Sequence, residues 1–252
     1  MSREARLKAA RAQVAAIERG RAPFRGVLSF GDARIDGALP GGGLPLGRWH
    51  EMTGEGAEIE TAAAVAAFAA AVVAPLAARE PVVWILRRDD LYTPGLAALG
   101  FPAERLIQVK VRTEAEGLAA LEDALGAAGI AAAIGEIEGA DLTAGRRLQL
   151  ACERSGATGF LVRRRPFGGR PRREAAAGVA ATRWRIACAP SVPEPGELGL
   201  GPPRWRVVLE RCRGGRPGAW IMEKSDDPHP LRVVAELGDR ELETAQPQRR
   251  AG

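Results

Sequence analysis

The chain has 252 residues, 46% of them hydrophobic and 27% charged, enough to bury one sizeable core in a single main domain. Its 36 Lys and Arg outnumber its 31 Asp and Glu, and Lys8, Lys110 and Lys224 are the only lysines, so the positive charge is almost wholly arginine, a side chain suited to phosphate. A compositional bias towards Ala, Arg, Gly and Pro raises arginine at neutral surface positions too, so net charge alone decides little. Cys152, Cys188 and Cys212 are odd in number and lack C-x-x-C spacing, so neither a disulfide framework nor a zinc site is indicated and a reducing compartment is expected; without a charged N-region followed by an apolar core, no ordinary secretory signal is expected either.

In chain order, residues Ser2 to Arg19 read as an amphipathic helix whose single apolar seam is Leu7, Ala10, Val14 and Ile17. Gly41-Gly42-Gly43 leads into a short apolar strand, a loop and a long Ala-rich helix. The uncharged stretch Ala62 to Ala78 is marginal for a membrane span and carries Pro75, so it reads as a helix beneath a sheet. Val82 to Leu86 is a buried strand, Leu91 to Leu99 a short helix interrupted at Pro94-Gly95, and Leu106 to Val111 the next strand. Thr113-Glu114-Ala115-Glu116 is a capping box opening a helix to about Ala128, followed by the strand Ile130 to Ile137. Thr143 is the expected cap of a helix to Ser155, and Thr158 to Arg163 is another strand.

Alternating β and α units predict a mainly parallel sheet between helices. After the Gly/Pro/Arg loop Pro166 to Gly178 come Thr182 to Ala189, Arg204 to Cys212, Ala219 to Lys224 and Leu231 to Leu237, with no helices between them. The turn Gly214 to Gly218 makes a hairpin of the middle pair, so this end of the sheet is antiparallel. Pro190 to Pro203 is a proline-rich connection. The domain plan is a helical arm (1–22), an α/β domain (23–237) and a polar tail (238–252) expected to be disordered.

The stretch Gly54 to Thr61 stands where a P-loop belongs, between a strand and a helix N-terminus. Laid from Gly54, however, the motif G-x-x-x-x-G-K-[ST] meets Ile59 at its second glycine and Glu60 at its lysine; only Gly54 and Thr61 fit. A β-branched residue denies the backbone a close approach to phosphate, and a carboxylate replaces the cation. Glu51, Glu55, Glu58 and Glu60 make the loop acidic and repellent to a triphosphate. His50 and His229 are the only histidines, and both are expected to be surface or partly buried rather than catalytic.

Leu39 to Thr61, and Gly42-Gly43-Leu44-Pro45-Leu46-Gly47-Arg48 in particular, resemble the P-loop entrance of the RecA recombinases. More closely, the chain resembles the ImuA family of degenerate RecA relatives. The resemblance rests on Trp49-His50-Glu51, on Leu86-Arg87-Arg88, on Leu142 to Ala151, and on Arg204-Trp205-Arg206 with Cys212 to Trp220. It spans about Pro23 to Leu237 and implies a RecA-like core. By resemblance, the water-activating glutamate of a RecA-type ATPase falls near Arg88, which cannot act as a base, and the Walker B acid falls on Glu136.

The family resemblance further implies a non-enzymatic accessory factor in SOS-induced, error-prone translesion DNA synthesis, working in the cytoplasm at the nucleoid, away from membranes, with no cofactor and no metal. Its implied partners are an ImuB-like polymerase-family protein with an error-prone replicative-type polymerase, with RecA and single-stranded DNA as further candidates. The arm seam Leu7, Val14 and Ile17 is the candidate partner contact. Arg163, Arg164, Arg165, Arg170, Arg172 and Arg173 are the candidate sequence-tolerant phosphate contacts, with the solvated arginine loop as the bland alternative. Trp184 and Trp205, flanked by arginines, are either stacking platforms or core. Two other functional classes stand beside this one: a divergent DNA-dependent ATPase using Thr61 and Glu136, and a stress-induced inhibitor of cell division.

Overall fold

The structure is a computed structural model that describes residues 26–164, 180–193, 196, 198–226 and 229–237. The arm, the loop 165–179 and the tail therefore lie outside the described residues. Eleven strands and five α-helices alternate along the rest: β1 (Val27–Leu28), α1 (Ala33–Asp36), β2 (Leu44–Pro45), β3 (Trp49–Gly54), α2 (Glu58–Ala77), β4 (Val82–Leu86), α3 (Thr93–Ala97), β5 (Leu106–Lys110), α4 (Glu114–Gly126), β6 (Ala132–Ile137), α5 (Leu142–Ser155), β7 (Thr158–Arg163), β8 (Thr182–Ala189), β9 (Arg204–Cys212), β10 (Gly218–Lys224) and β11 (Leu231–Glu236).

Nine of the strands form one sheet in the order β11-β10-β9-β8-β3-β7-β6-β4-β5. From β5 to β8 neighbours run parallel, and from β8 to β11 antiparallel. Every residue of β4 and β6 is buried, as a parallel strand covered on both faces requires. β9 and β10 form the expected hairpin, pairing Gly218 with Leu209.

One face of the sheet carries α2. Its inward side chains, among them Val65, Phe68, Val72 and Val73, meet Met52, Trp84, Phe160, Trp184, Trp205 and Trp220 in the larger core cluster. α2 is long and apolar enough to cross a membrane, yet two thirds of its most apolar window is buried against the sheet (67%). Trp184 and Trp205 are core residues, 1% and 2% exposed, rather than platforms for bases. The other face carries α4 and α5, whose Leu121, Leu125, Leu148 and Cys152 pack on Trp49, Ile85 and Leu161.

The helix starts follow their caps. Thr113 accepts from the Glu116 N–H at 3.2 Å, and the Glu116 carboxylate reaches back to the Arg112 N–H at 2.8 Å, one residue earlier than a standard capping box. For α5 the cap is Asp141, which accepts from the Ala144 N–H at 2.8 Å; Thr143, expected to be the cap, lies inside the first turn. A carboxylate placed two residues earlier wins because it also meets the positive end of the helix dipole.

His50 is fully buried, which corrects the surface or partly buried placement. Its Nε2 lies 2.9 Å from the Pro45 carbonyl oxygen and its Nδ1 2.7 Å from the Thr182 hydroxyl, which in turn accepts from Trp184 Nε1 at 2.6 Å. This arrangement suits a neutral ring donating from Nε2 and accepting at Nδ1. Desolvation is the chief reason that its pKa falls to about 4.

Candidate functional site at the strand ends

In a parallel α/β sheet, ligands gather at the carboxyl ends of the strands, beside the point where the strand order reverses. Here that place lies at the ends of β3, β7, β6 and β4, with the N-terminus of α2 above it. Each element delivers one charged side chain to the same point: Glu58 from the first residue of α2, Asp90 from the turn after β4, Glu136 from β6, and Arg164 from the residue after β7.

The Arg164 guanidinium is the hub. Its Nε donates to Glu58 at 2.8 Å, its Nη2 to Asp90 at 3.0 Å, and its Nη1 to Glu136 at 2.5 Å. The second Glu136 oxygen accepts from the indole N–H of Trp84 at 2.8 Å. Arg164 is 8% exposed and Glu136 2%. Burial works against the charged guanidinium, but its hydrogen bonds to Asp90, Glu136 and Glu58, with the negative charge of Glu136, outweigh it and hold Arg164 charged beyond the ordinary arginine range. The hydrogen bond from Arg164 holds the Asp90 carboxyl below its usual range. Burial pushes Glu136 up, against the pull of Arg164 and Trp84. Arg164 therefore faces inwards, and its donors are taken by carboxylates rather than turned to a nucleic acid backbone.

The loop above this cage is tight. Only residues 55–57 separate β3 from α2, and the helix begins at Glu58, the fifth position of the P-loop motif. A Cβ on Gly54 would stand 2.2 Å from the Thr61 hydroxyl oxygen, so the glycine is required by the close approach of the helix, and Gly56 turns the chain at φ +107°. Thr61, one of the two motif residues that fit, donates its hydroxyl to the Ala57 carbonyl at 3.0 Å and is buried. Ile59 is 93% exposed and Glu60 also faces solvent. Glu55 is ion-paired with Arg206 of β9. The residues present do not fit a magnesium triphosphate: the lysine is absent, the loop lacks its second glycine, Thr61 is engaged, and Arg164 occupies the Walker B-like Glu136. Among the described residues no group of three or more His, Cys, Asp or Glu is arranged to hold a metal; the three acids that converge here hold an arginine instead.

Arg163, the neighbour of Arg164, points to the opposite face of the sheet. Its Nη1 lies 3.3 Å from Glu51 and its Nε donates to the Glu138 carbonyl at 3.1 Å. Arg183, near the start of β8, shares Glu51 at 3.0 Å. Both ends of the loop 165–179 are thus rooted in ion pairs. Arg165, Arg170, Arg172 and Arg173 of that loop, and Leu7, Val14 and Ile17 of the arm, lie outside the described residues. Arg88, near which the resemblance places the water-activating glutamate of a RecA-type ATPase, has its Nε 3.8 Å from Asp90. Sequence reasoning singled out Glu136 but missed Asp90 and Glu58 as its neighbours; the available signal was the pair Asp89-Asp90 in the turn after β4 and an arginine directly after β7.

A KaiC-like protein from the hyperthermophilic archaeon Pyrococcus horikoshii superposes with a TM-score of 0.54 at 17% identity, covering 84% of this chain and all of that one (100%), and the shared arrangement is the RecA-like fold. No protein-family model matches the chain. The proteins named ImuA from two strains of Caulobacter vibrioides, NA1000 and CB 15, are 56% identical to it over 234 residues, which is 90% of this chain and 96% of theirs. At that identity and coverage, the chain belongs to the ImuA family.

Proposed function

We propose that this ImuA-family chain is a non-enzymatic accessory factor in SOS-induced, error-prone translesion DNA synthesis, one that uses the RecA-like fold as a scaffold instead of as an ATPase. The observation that carries the reading is the Arg164 cage. In a P-loop ATPase the Walker B acid and the helix N-terminus meet across nucleotide and Mg²⁺. Here the corresponding Glu136 and α2 are joined by a guanidinium from the chain itself, with Ile59 and Glu60 in place of the glycine and lysine. The pathway, and an ImuB-like polymerase-family partner working with an error-prone replicative-type polymerase, are carried over from the family resemblance. RecA and single-stranded DNA are further candidate partners, the latter through Arg165, Arg170, Arg172 and Arg173, and the place of action is the cytoplasm at the nucleoid.

Two experiments test this reading. Steady-state hydrolysis of ATP with Mg²⁺, with and without single-stranded DNA, is expected to give no turnover above buffer; DNA-stimulated turnover that Glu136→Gln abolishes would replace the scaffold with a divergent ATPase. Affinity purification of the tagged chain after DNA damage is expected to recover a polymerase-family protein. Recovery of cell-division proteins in its place would favour a division inhibitor.

A further inference from the structure

On the antiparallel strands, Arg185, Arg204, Arg206 and Arg232 each meet a glutamate. The turn between β9 and β10 is different. Arg211, Arg213 and Arg216 fall within six residues, and no Asp or Glu occurs from 211 to 222. Residues 213–217 are all exposed. The turn rests on the segment after α1, where the Arg216 N–H donates to the Ala38 carbonyl at 2.9 Å. That segment brings no acid either, since none lies between Asp36 and Glu51. Arg211 stands opposite Arg183 across β8 and β9, a like-charge pairing that costs stability. The Arg216 side chain has no ion-pair or hydrogen-bond partner among the described residues.

We propose that this turn is the seat of the chain's own acidic segment Asp239-Arg240-Glu241-Leu242-Glu243, which carries the line of β11 past the turn. Position favours it: the Leu237 N–H donates to the Ala219 carbonyl at 2.9 Å, so the chain leaves β11 level with the start of β10, beside the turn. Carried onward, the β10–β11 register brings residue 239 level with Pro217 and residue 241 level with Gly215. In an extended chain Asp239, Glu241 and Glu243 share one side, about 7 Å apart, with Arg240 and Leu242 on the other. Charge favours it as well. Residues 238–243 carry three acids and one cation, the inverse of the turn. The loop 165–179 also ends near the turn, through the Arg213 N–H and the Ala181 carbonyl at 2.9 Å, but it carries four cations and one acid, and residues 1–25 carry seven cations and two acids. The connection 190–203, with its exposed Leu198 and Leu200, joins β8 to β9 at the opposite end of these strands. The contact takes Arg216 out of the set of arginines open to phosphate in the free chain. This inference is independent of the polymerase-partner reading and of the absence of ATP chemistry.

Lys8, Lys110 and Lys224 are the only lysines, so a lysine placed on the turn gives a traceable product when a carbodiimide couples amines to carboxylates at zero length. The full-length Arg216→Lys chain, dilute and at low salt, is expected to yield a monomer whose peptide map joins residue 216 to Asp239, Glu241 or Glu243. High salt is expected to remove that product, because exposed ion pairs are screened. The swapped chain, Arg216→Glu with Glu241→Lys, is expected to give the link between 216 and 241 with the charges reversed. Limited trypsin digestion reads the contact without chemical coupling: Arg216→Glu, which leaves the cleavage site intact, is expected to speed cutting after Arg240 by about threefold or more. Its far-UV dichroism and melting curve stay unchanged, because the side chain is on the surface. Absence of a link from 216 to the segment in both coupled chains, a link confined to the dimer, a link to Glu174 or Glu197 in its place, or unchanged cutting after Arg240 would overturn the proposal.

Discussion

The cage at the strand ends and the outer surface of α5 each carry an arginine, and they differ in what the fold has done with the charge. Arg164 is held from three directions by carboxylates and is nearly closed off from water, whereas Arg146 stands on the outer surface of α5 between Leu142 and Leu150, 43% and 58% exposed, with no ion-pair or hydrogen-bond partner among the described residues. The lesson is that arginine richness is a statement about composition until the partners are known. A buried guanidinium must be matched by acids or the fold does not form, and an exposed one is available to another molecule. The same contrast separates adjacent residues, since Arg163 and Arg164 leave β7 on opposite faces and serve different acids.

The largest effect is expected at the cage. Arg164→Ala leaves Glu136 buried and uncompensated and should cost about 3–5 kcal/mol in urea unfolding. The double variant Arg164→Met with Glu136→Gln removes both charges and should recover most of that loss. If Arg164→Ala unfolds at the same urea concentration as the parent, the cage is ornamental and the contrast with Arg146 fails.

A second effect is read in the pH dependence. The folded chain keeps His50 neutral down to about 4, whereas the unfolded chain protonates it near 6.5. Between these values the unfolded state binds more protons, so stability rises with pH there. Stability therefore falls by about 3 kcal/mol as the pH is lowered from 6.5 to about 4. Denaturation midpoints across that window should show the slope, and His50→Gln should remove it. The Asp90 carboxyl, held low by Arg164, adds a further loss as the pH falls below the ordinary aspartate value.

A smaller effect is expected from Gly54→Ala, whose Cβ meets the Thr61 hydroxyl at 2.2 Å. Displacing α2 or Thr61 to make room should cost about 1–3 kcal/mol; an unchanged melting temperature would mean that the helix start has slack. The smallest is Arg146→Ala, which removes a surface side chain that has no partner among the described residues and should change stability by no more than about 0.5 kcal/mol. A larger loss would place Arg146 among the structural arginines.

Most strands were legible in the sequence because they are runs of β-branched and aromatic residues bounded by turn residues, such as Val82 to Leu86 and Arg204 to Cys212. The antiparallel end was legible from the missing crossover helices. The small β1-β2 sheet and α1 were not. Those elements are too short for any periodicity, and they are organised by Asp36, which accepts from the Phe30 N–H at 2.9 Å and from the Ser29 hydroxyl at 2.6 Å. His50 was misplaced because its burial depends on the hydroxyl of Thr182, far away in the chain, to donate the hydrogen bond that water would otherwise supply. The candidate site was half legible. The ruined P-loop follows from motif spacing and Glu136 from the family resemblance, but the three acids around Arg164 come from separate crossovers, and only the sheet order brings them together.

The measurement closest to the central claim is an isothermal titration of the full-length chain with ATP and Mg²⁺, repeated on Glu60→Lys. Because Arg164 fills the site, and because Ile59 remains in the loop, neither protein is expected to give a saturable heat of binding. A saturable one-site isotherm for the parent chain would show that the cage opens for nucleotide, and would contradict the reading of the fold as a scaffold.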